Sequence, residues 1–230
     1  HQLAKSGANV IVVDKAAQVG HGSTSASSGV VRFNYSTLDS IALAWESHFA
    51  WRDWAKHLDA RSDEQLATFH RVGMLLMDVP VLSLTRSAEL FEQAGIPHRI
   101  VDAAAIEELI PGIDTGRYWP NKRVDDPEFW EPASREITGM YTPDGGYVDD
   151  PALAAQNLAA AAVRHGASFM LRSQVVAIVR DSVRVTGVEL SDGSILEADV
   201  IVNAAGPWSS KVNELAGVGS EFTVTLAPMR

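Results

Sequence analysis

Asp14 closes a run of four β-branched residues, Val10-Ile11-Val12-Val13. In a dinucleotide-binding βαβ unit, an acid at that place accepts hydrogen bonds from the paired hydroxyls of a ribose. A carboxylate that only solvates the end of a strand has the same signature, and at this point both readings stand. Such units carry a Gly-rich fingerprint about 20 residues before the acid. Counting back from Asp14 runs past His1, so the expected unit is one without its fingerprint and first strand.

Two further stretches have the residue types of a ligand wall. In Gly20-His21-Gly22-Ser23-Thr24-Ser25-Ala26-Ser27-Ser28-Gly29 every side chain except His21 is small. Small residues let a backbone approach a ligand closely, although a flexible linker has a similar composition. Apolar Val30 and Val31 follow at once, with no composition shift to mark a domain boundary. Near the other end, Asn203-Ala204-Ala205-Gly206-Pro207-Trp208 places small residues after an aliphatic run, where ligands sit at the carboxyl edge of open α/β sheets. A tight turn into a helix starting near Ser209 is the alternative.

Composition bounds the chemistry. The chain has no cysteine, which removes disulfides, thiolate nucleophiles and thiolate metal ligands from its 230 residues. No spacing of histidines and acids suggests a metal site, and Asp125-Asp126 reads as a solvated loop. His48, His57, His70, His98 and His165 are scattered and read as structural. A net charge of −10 argues against nucleic acid and favours a small-molecule partner. No apolar run reaches the roughly 18 residues that span a bilayer. With no signal-peptide pattern at its start, the chain is expected to be cytoplasmic.

The elements that must position these residues follow from pattern. Residues 1–7 read as the end of a helix closed by Gly7, and 10–13 as a short, fully buried parallel strand. Helical spacing covers 38–58. A strand is expected over 71–77, a helix capped by Thr85 runs to Gly95, and a helix capped by Asp102 stops at Pro111. No element is assigned between 112 and 143. An alanine-rich helix opens at Pro151 and ends at Gly166. Strands are expected over 168–171, 174–180 and 183–190, with a hairpin turn at Asp192-Gly193 into 194–197. A last buried strand is expected over 199–203.

Three segments taken together resemble the D-amino-acid oxidase superfamily of FAD-dependent oxidoreductases, in its glycine, sarcosine and dimethylglycine branch. They are 8–14 with Gly22-Ser23-Thr24-Ser25 and Ser28-Gly29-Val30-Val31-Arg32, then Gly145-Gly146-Tyr147-Val148-Asp149-Asp150-Pro151 with its helix and His165-Gly166-Ala167, then 200–208. The resemblance implies an α/β (α+β) fold. That fold is a Rossmann-like FAD-binding domain over 1–70 and 144–215, lacking its first strand, with a partial, inserted antiparallel-sheet substrate domain over 71–143 and 216–230. It implies FAD as cofactor and an amine or amino acid as substrate, oxidised at a C–N bond to an imine. A flavin-dependent hydroxy-acid or glycerol-3-phosphate dehydrogenase, or a non-catalytic binding module with this fold, is the alternative.

Carried over by position, Asp14 binds the adenosine ribose with Lys15 beside it. Gly22, Ser23 and Thr24 pass the pyrophosphate and ribityl chain, and Ser28 and Gly29 lie near the flavin ring. The backbone of Val175 meets adenine, and Ala204, Ala205, Gly206 and Trp208 form the second wall. Arg32 matches a position that pairs with a substrate carboxylate, which suits a planar, permanently charged guanidinium; Tyr35 lines the same pocket. Some members tether flavin through a histidine in the small-residue loop, but Gly20-His21-Gly22 departs from their pattern and no tether is expected. No catalytic residue is assigned. The resemblance also implies that the 230 residues are an internal piece of a longer chain, with little turnover of their own.

Overall fold

The computed structural model of the chain describes residues 1–80 and 83–219. Helix α1 (Gln2–Lys5) leads through a turn at Gly7 into β1 (Ile11–Val13). After the small-residue loop come β2 (Val30–Val31), α2 (Leu38–Arg52), α3 (Trp54–Leu58), β3 (Phe69–His70) and β4 (Met74–Met77). Helix α4 (Leu84–Ala94), β5 (Arg99–Val101) and α5 (Ala103–Leu109) precede β6 (Gly139–Thr142) and β7 (Gly146–Val148). The chain continues with α6 (Pro151–Arg164), β8 (Ser168–Met170), β9 (Val175–Arg180), β10 (Val185–Leu190), β11 (Ile195–Glu197) and α7 (Ser209–Ala216).

Caps set several of these bounds. The Thr37 hydroxyl accepts from the Ser40 amide at the start of α2, and the Asp102 carboxylate from the Ala105 amide at the start of α5. Each satisfies a donor that the helix itself leaves unpaired. Helix α4 is capped by Ser83, which accepts from the Arg86 amide, rather than by Thr85. Two hydroxyl residues stand close together there, and the helix takes the earlier one, starting two residues sooner at Leu84. The expected single helix over 38–58 breaks at Asp53, whose φ of −117° is not helical.

The chain forms two compact units. The first comprises His1–Ser27 and the described residues from Pro151 onward. Its β1 and β8 pair in parallel, Ile11 opposite Ser168 and Val13 opposite Met170. Helices α1 and α6 pack together through buried Ala4 and Ala162, joined by Ala167 just past α6, with Val10 and Phe169 against them. An antiparallel sheet in the order β11-β10-β9 completes the unit.

Two expectations for this unit are corrected. Strand β1 is parallel but not buried, with Ile11 48% and Val12 37% exposed. Strands in parallel sheets become fully buried when neighbours flank both edges and helices cover both faces; among the described residues only β8 flanks this one. Residues 199–203 form no strand, and Val200 and Val202 are 75% and 65% exposed. An aliphatic run becomes a strand only when another strand lies alongside it, and none of the described residues does so here.

The second unit, Ser28–Asp150, holds two antiparallel sheets, ordered β2-β7-β3 and β4-β6-β5. Its main core gathers Phe33, Ile41, Leu90, Phe91, Ile96 and Met140, and a second cluster joins Val101, Ile106 and Ile137. Strand β6, within the stretch where no element was assigned, is the middle strand of its sheet and places Met140 in the core. His48 is fully buried, stacked on Trp45 with ring centroids 4.1 Å apart and edge-on to Phe33. Its Nδ1 is bonded to the Trp45 carbonyl, and its Nε2 has no hydrogen-bond partner. Burial pushes its pKa below the ordinary 6.5, because a charged imidazole cannot keep its water there.

Candidate cofactor and substrate site

In the first unit the site starts at the carboxyl end of β1. Parallel pairing with β8 carries on through Asp14, whose amide donates to Met170 O at 3.0 Å and whose carbonyl accepts from Ser173 at 3.0 Å. Its exposed carboxylate accepts from the Ala16 amide at 2.8 Å, leaving acceptor capacity on both oxygens. Lys15 lies over the Trp208 ring, 5.6 Å from its centroid. Residues from opposite ends of the sequence therefore meet beside Asp14.

The turn carrying Trp208 is organised by Asn203. Its Nδ2 donates to Ser209 O at 2.9 Å and to Asn213 Oδ1 at 2.7 Å, and its Oδ1 accepts from the Ala205 amide at 3.2 Å. One side chain thus ties Ala204, Ala205, Gly206 and Trp208 to the first turns of α7. Asn203 stands in the sequence motif without an assigned role, and its position just before a helix start is the signal that marks it. Val175 opens β9 opposite Leu190.

The small-residue loop folds as successive turns, with the Ser25 amide donating to Gly20 O at 3.0 Å and the Ser27 amide to Thr24 O at 3.1 Å. Gly20 has φ +82°, and a Cβ there would stand 3.1 Å from Ala152 O at the first turn of α6. A glycine is needed there both for its backbone and for its fit. Beyond it, Gly22, Ser23 and Thr24 are exposed, and a Cβ on Gly22 would meet nothing within 4 Å.

In the second unit, Gly29 has φ +68° and its carbonyl accepts from the Val148 amide at 2.8 Å, which starts the β2–β7 pairing just after Ser28. Arg32 follows β2 with its guanidinium over the Tyr35 ring, 5.2 Å from the centroid. Nη1 of Arg32 also donates to Asn34 O at 3.4 Å. The Asn34 Oδ1 beside them is buried with no hydrogen-bond partner. His21 is exposed on the loop.

Comparison with known proteins gives these features a family. The sequence pattern of the FAD dependent oxidoreductase family matches residues 1–230. The chain belongs to that family, whose cofactor is FAD. Among solved structures it is similar to L-proline dehydrogenase from P.horikoshii, at 23% identity and a TM-score of 0.75, over 95% of this chain and 52% of that one. It is also similar to glycine oxidase from Geobacillus kaustophilus, at 23% identity and a TM-score of 0.70, over 95% of this chain and 54% of that one. A third is iminodiacetate oxidase from Chelativorans sp. BNC1, at 22% identity and a TM-score of 0.65, over 95% of this chain and 54% of that one. The chain thus spans about half the length of the structures it matches. At these identities the likeness shows a shared fold, the mixed α/β arrangement of this family.

The residues fit the cofactor in kind. A carboxylate with spare acceptor sites suits a ribose, and exposed hydroxyls and amides with open space at Gly22 suit a phosphate chain. Among the described residues no group of three or more His, Asp or Glu could hold a metal, and no helix is long and apolar enough to cross a membrane.

Proposed function

We propose that this chain carries FAD-binding and substrate-binding residues of an enzyme that oxidises an amine or amino acid to an imine, which water then hydrolyses. The substrate class is a secondary amine such as an N-methyl amino acid, or glycine or a D-amino acid. FAD, once bound, supplies the redox chemistry. On this reading Asp14 and Lys15, Gly22, Ser23 and Thr24, Val175 and the 204–208 turn hold the cofactor, and Ser28 and Gly29 lie near its ring. Residues 1–70 and 144–215 then serve the cofactor and 71–143 with 216–230 the substrate, of which 81–82 and 220–230 lie outside the described residues. The isolated 230-residue chain is expected to show little turnover.

The observation that carries the substrate class is Arg32. Its guanidinium is steadied by Tyr35 and by the Asn34 carbonyl, and its remaining N–H donors suit a carboxylate. The three relatives are named for proline, glycine and iminodiacetate, each of which joins an amine to a carboxylate. Arginine pairing to that carboxylate fixes the neighbouring C–H bond in one orientation, which is an entropic contribution to rate.

The test is a panel of N-methyl amino acids, glycine, hydroxy acids and amines without a carboxylate, run on the full-length protein and its Arg32→Ala variant. Arg32→Ala is expected to raise KM for the carboxylate-bearing amines by about 10- to 100-fold, as loss of a charged hydrogen bond does, and to leave other amines unaffected. Oxidation of hydroxy acids with amines inert would replace this reading with the dehydrogenase alternative.

A further inference from the structure

The β2-β7-β3 sheet has one face on the core and one face open. Val31 packs against the core cluster, so by strand alternation Val30 projects to the other side, and Arg32, just past the end of β2, is exposed. On β7, Gly146 and Val148 are buried and Tyr147 between them is exposed. The register sets Val30 opposite Tyr147, and Tyr147 opposite His70. One open face therefore carries Val30, Tyr147 and His70 in a row across three strands, with Arg32 two residues along from Val30. Strand spacing and rise put the Arg32 and His70 backbones about 12 Å apart, a separation of the order that an arginine, a histidine and a small amino acid between them span.

His70 is not a lone surface histidine. Its Nε2 lies 3.6 Å from Asp149 Oδ2, and its ring is stacked on Tyr147, with centroids 4.9 Å apart and planes at 20°. Asp149 is fixed in turn, since its Oδ1 accepts from the Thr68 amide at 2.8 Å. That bond, first among its causes, holds the Asp149 carboxyl below the usual carboxylate range, so the group stays an anion beside the imidazole. A carboxylate beside one ring nitrogen orients a histidine so that the other nitrogen is the one placed to accept a proton. Both side chains are 41% exposed, where an ion pair adds little to stability.

Building on the amine-oxidation reading above, we propose that His70, oriented by Asp149, is the base that takes a proton from the substrate ammonium while Arg32 holds the carboxylate. An ammonium has no lone pair, and oxidation to an imine needs one on nitrogen. The substrate N–H bond breaks, its electron pair stays on nitrogen, and the proton forms a new bond to His70 Nδ1. The positive charge passes from substrate to imidazolium, beside Asp149. FAD, held by the residues named above, would supply the acceptor for the Cα hydrogen together with its bonding electron pair, while the freed nitrogen lone pair closes the C=N bond.

The experiment uses the full-length, FAD-loaded protein, with sarcosine added without oxygen over neutral to alkaline pH. His70→Asn is expected to slow flavin reduction about 100-fold at neutral pH, the scale of one general base, with the saturating sarcosine concentration unchanged. Its rate should recover as pH rises and free sarcosine loses its own proton, and added imidazole should restore part of it. Asp149→Asn, which keeps the imidazole, gives a smaller loss of the same form. Affinity for 2-aminoisobutyrate, which has no α-hydrogen to lose, should depend on pH in the wild type and lose that dependence in His70→Asn. Bound FAD and the thermal midpoint should not change. A His70→Asn protein with the wild-type pH profile and rate would overturn the proposal. Wild-type protein reduced by no amine would overturn the amine reading itself, and this inference with it.

Discussion

Gly146 sits directly beneath the backbone of His70: a Cβ on Gly146 would overlap the His70 carbonyl oxygen. The two residues lie on neighbouring antiparallel strands, and β3 can approach β7 this closely only because position 146 has no side chain. The same contact fixes the height of His70 over Tyr147 on the open face of the sheet.

Gly146→Ala is therefore expected to push β3 off β7 and to destabilise the protein by about 1–3 kcal/mol, the usual cost of overpacking. A thermal melt checks this, and the His70 effect on flavin reduction should weaken alongside it. An unchanged melting temperature would mean that the strand pairing tolerates the methyl group and that the close approach has no role.

His48 supplies a pH dependence of stability. Its pKa in the folded chain lies below 6.5, chiefly through burial; the Trp45 carbonyl and Asp144 oppose that shift, and Arg52 and Arg71 add to it. Between the folded value and 6.5 the unfolded chain binds more protons, so stability rises with pH there. The stabilisation is complete above about 6.5 and is lost as pH falls through that window. Urea midpoints at mildly acidic and at neutral pH should thus differ more in the wild type than in His48→Gln. Equal differences in the two proteins would exclude His48 as the source.

Local order was legible where local chemistry decides it. Pro151 and Gly166 bracket α6, Asp102 caps α5, and Asp192-Gly193 turns β10 into β11, each from residues a few positions apart. Ser83 in place of Thr85 shows the resolution of such signals, since two equivalent hydroxyl residues lie within one turn. Long-range pairing was not legible. The run Val200-Ile201-Val202 looks like a buried strand by composition, yet burial depends on a neighbour that no local pattern encodes.

The candidate site divides in the same way. Asp14 and the small-residue loop are each marked by consecutive residues, so a local motif singles them out, and their roles are those proposed above. His70 and Asp149 come from separate parts of the chain and meet only through the β3–β7 pairing, so His70 read as one more scattered histidine. Asn203 was visible as a motif member, but its three hydrogen bonds depend on where α7 starts.

Amine oxidation by a bound flavin is tested most directly by the visible absorption spectrum of the purified full-length protein before and after sarcosine is added without oxygen. An oxidised flavin spectrum that bleaches on addition of the amine is expected. A flavin spectrum that no amine or amino acid bleaches would contradict the proposed substrate class, and a protein without flavin would contradict the assignment of Asp14 and the 204–208 turn to the cofactor.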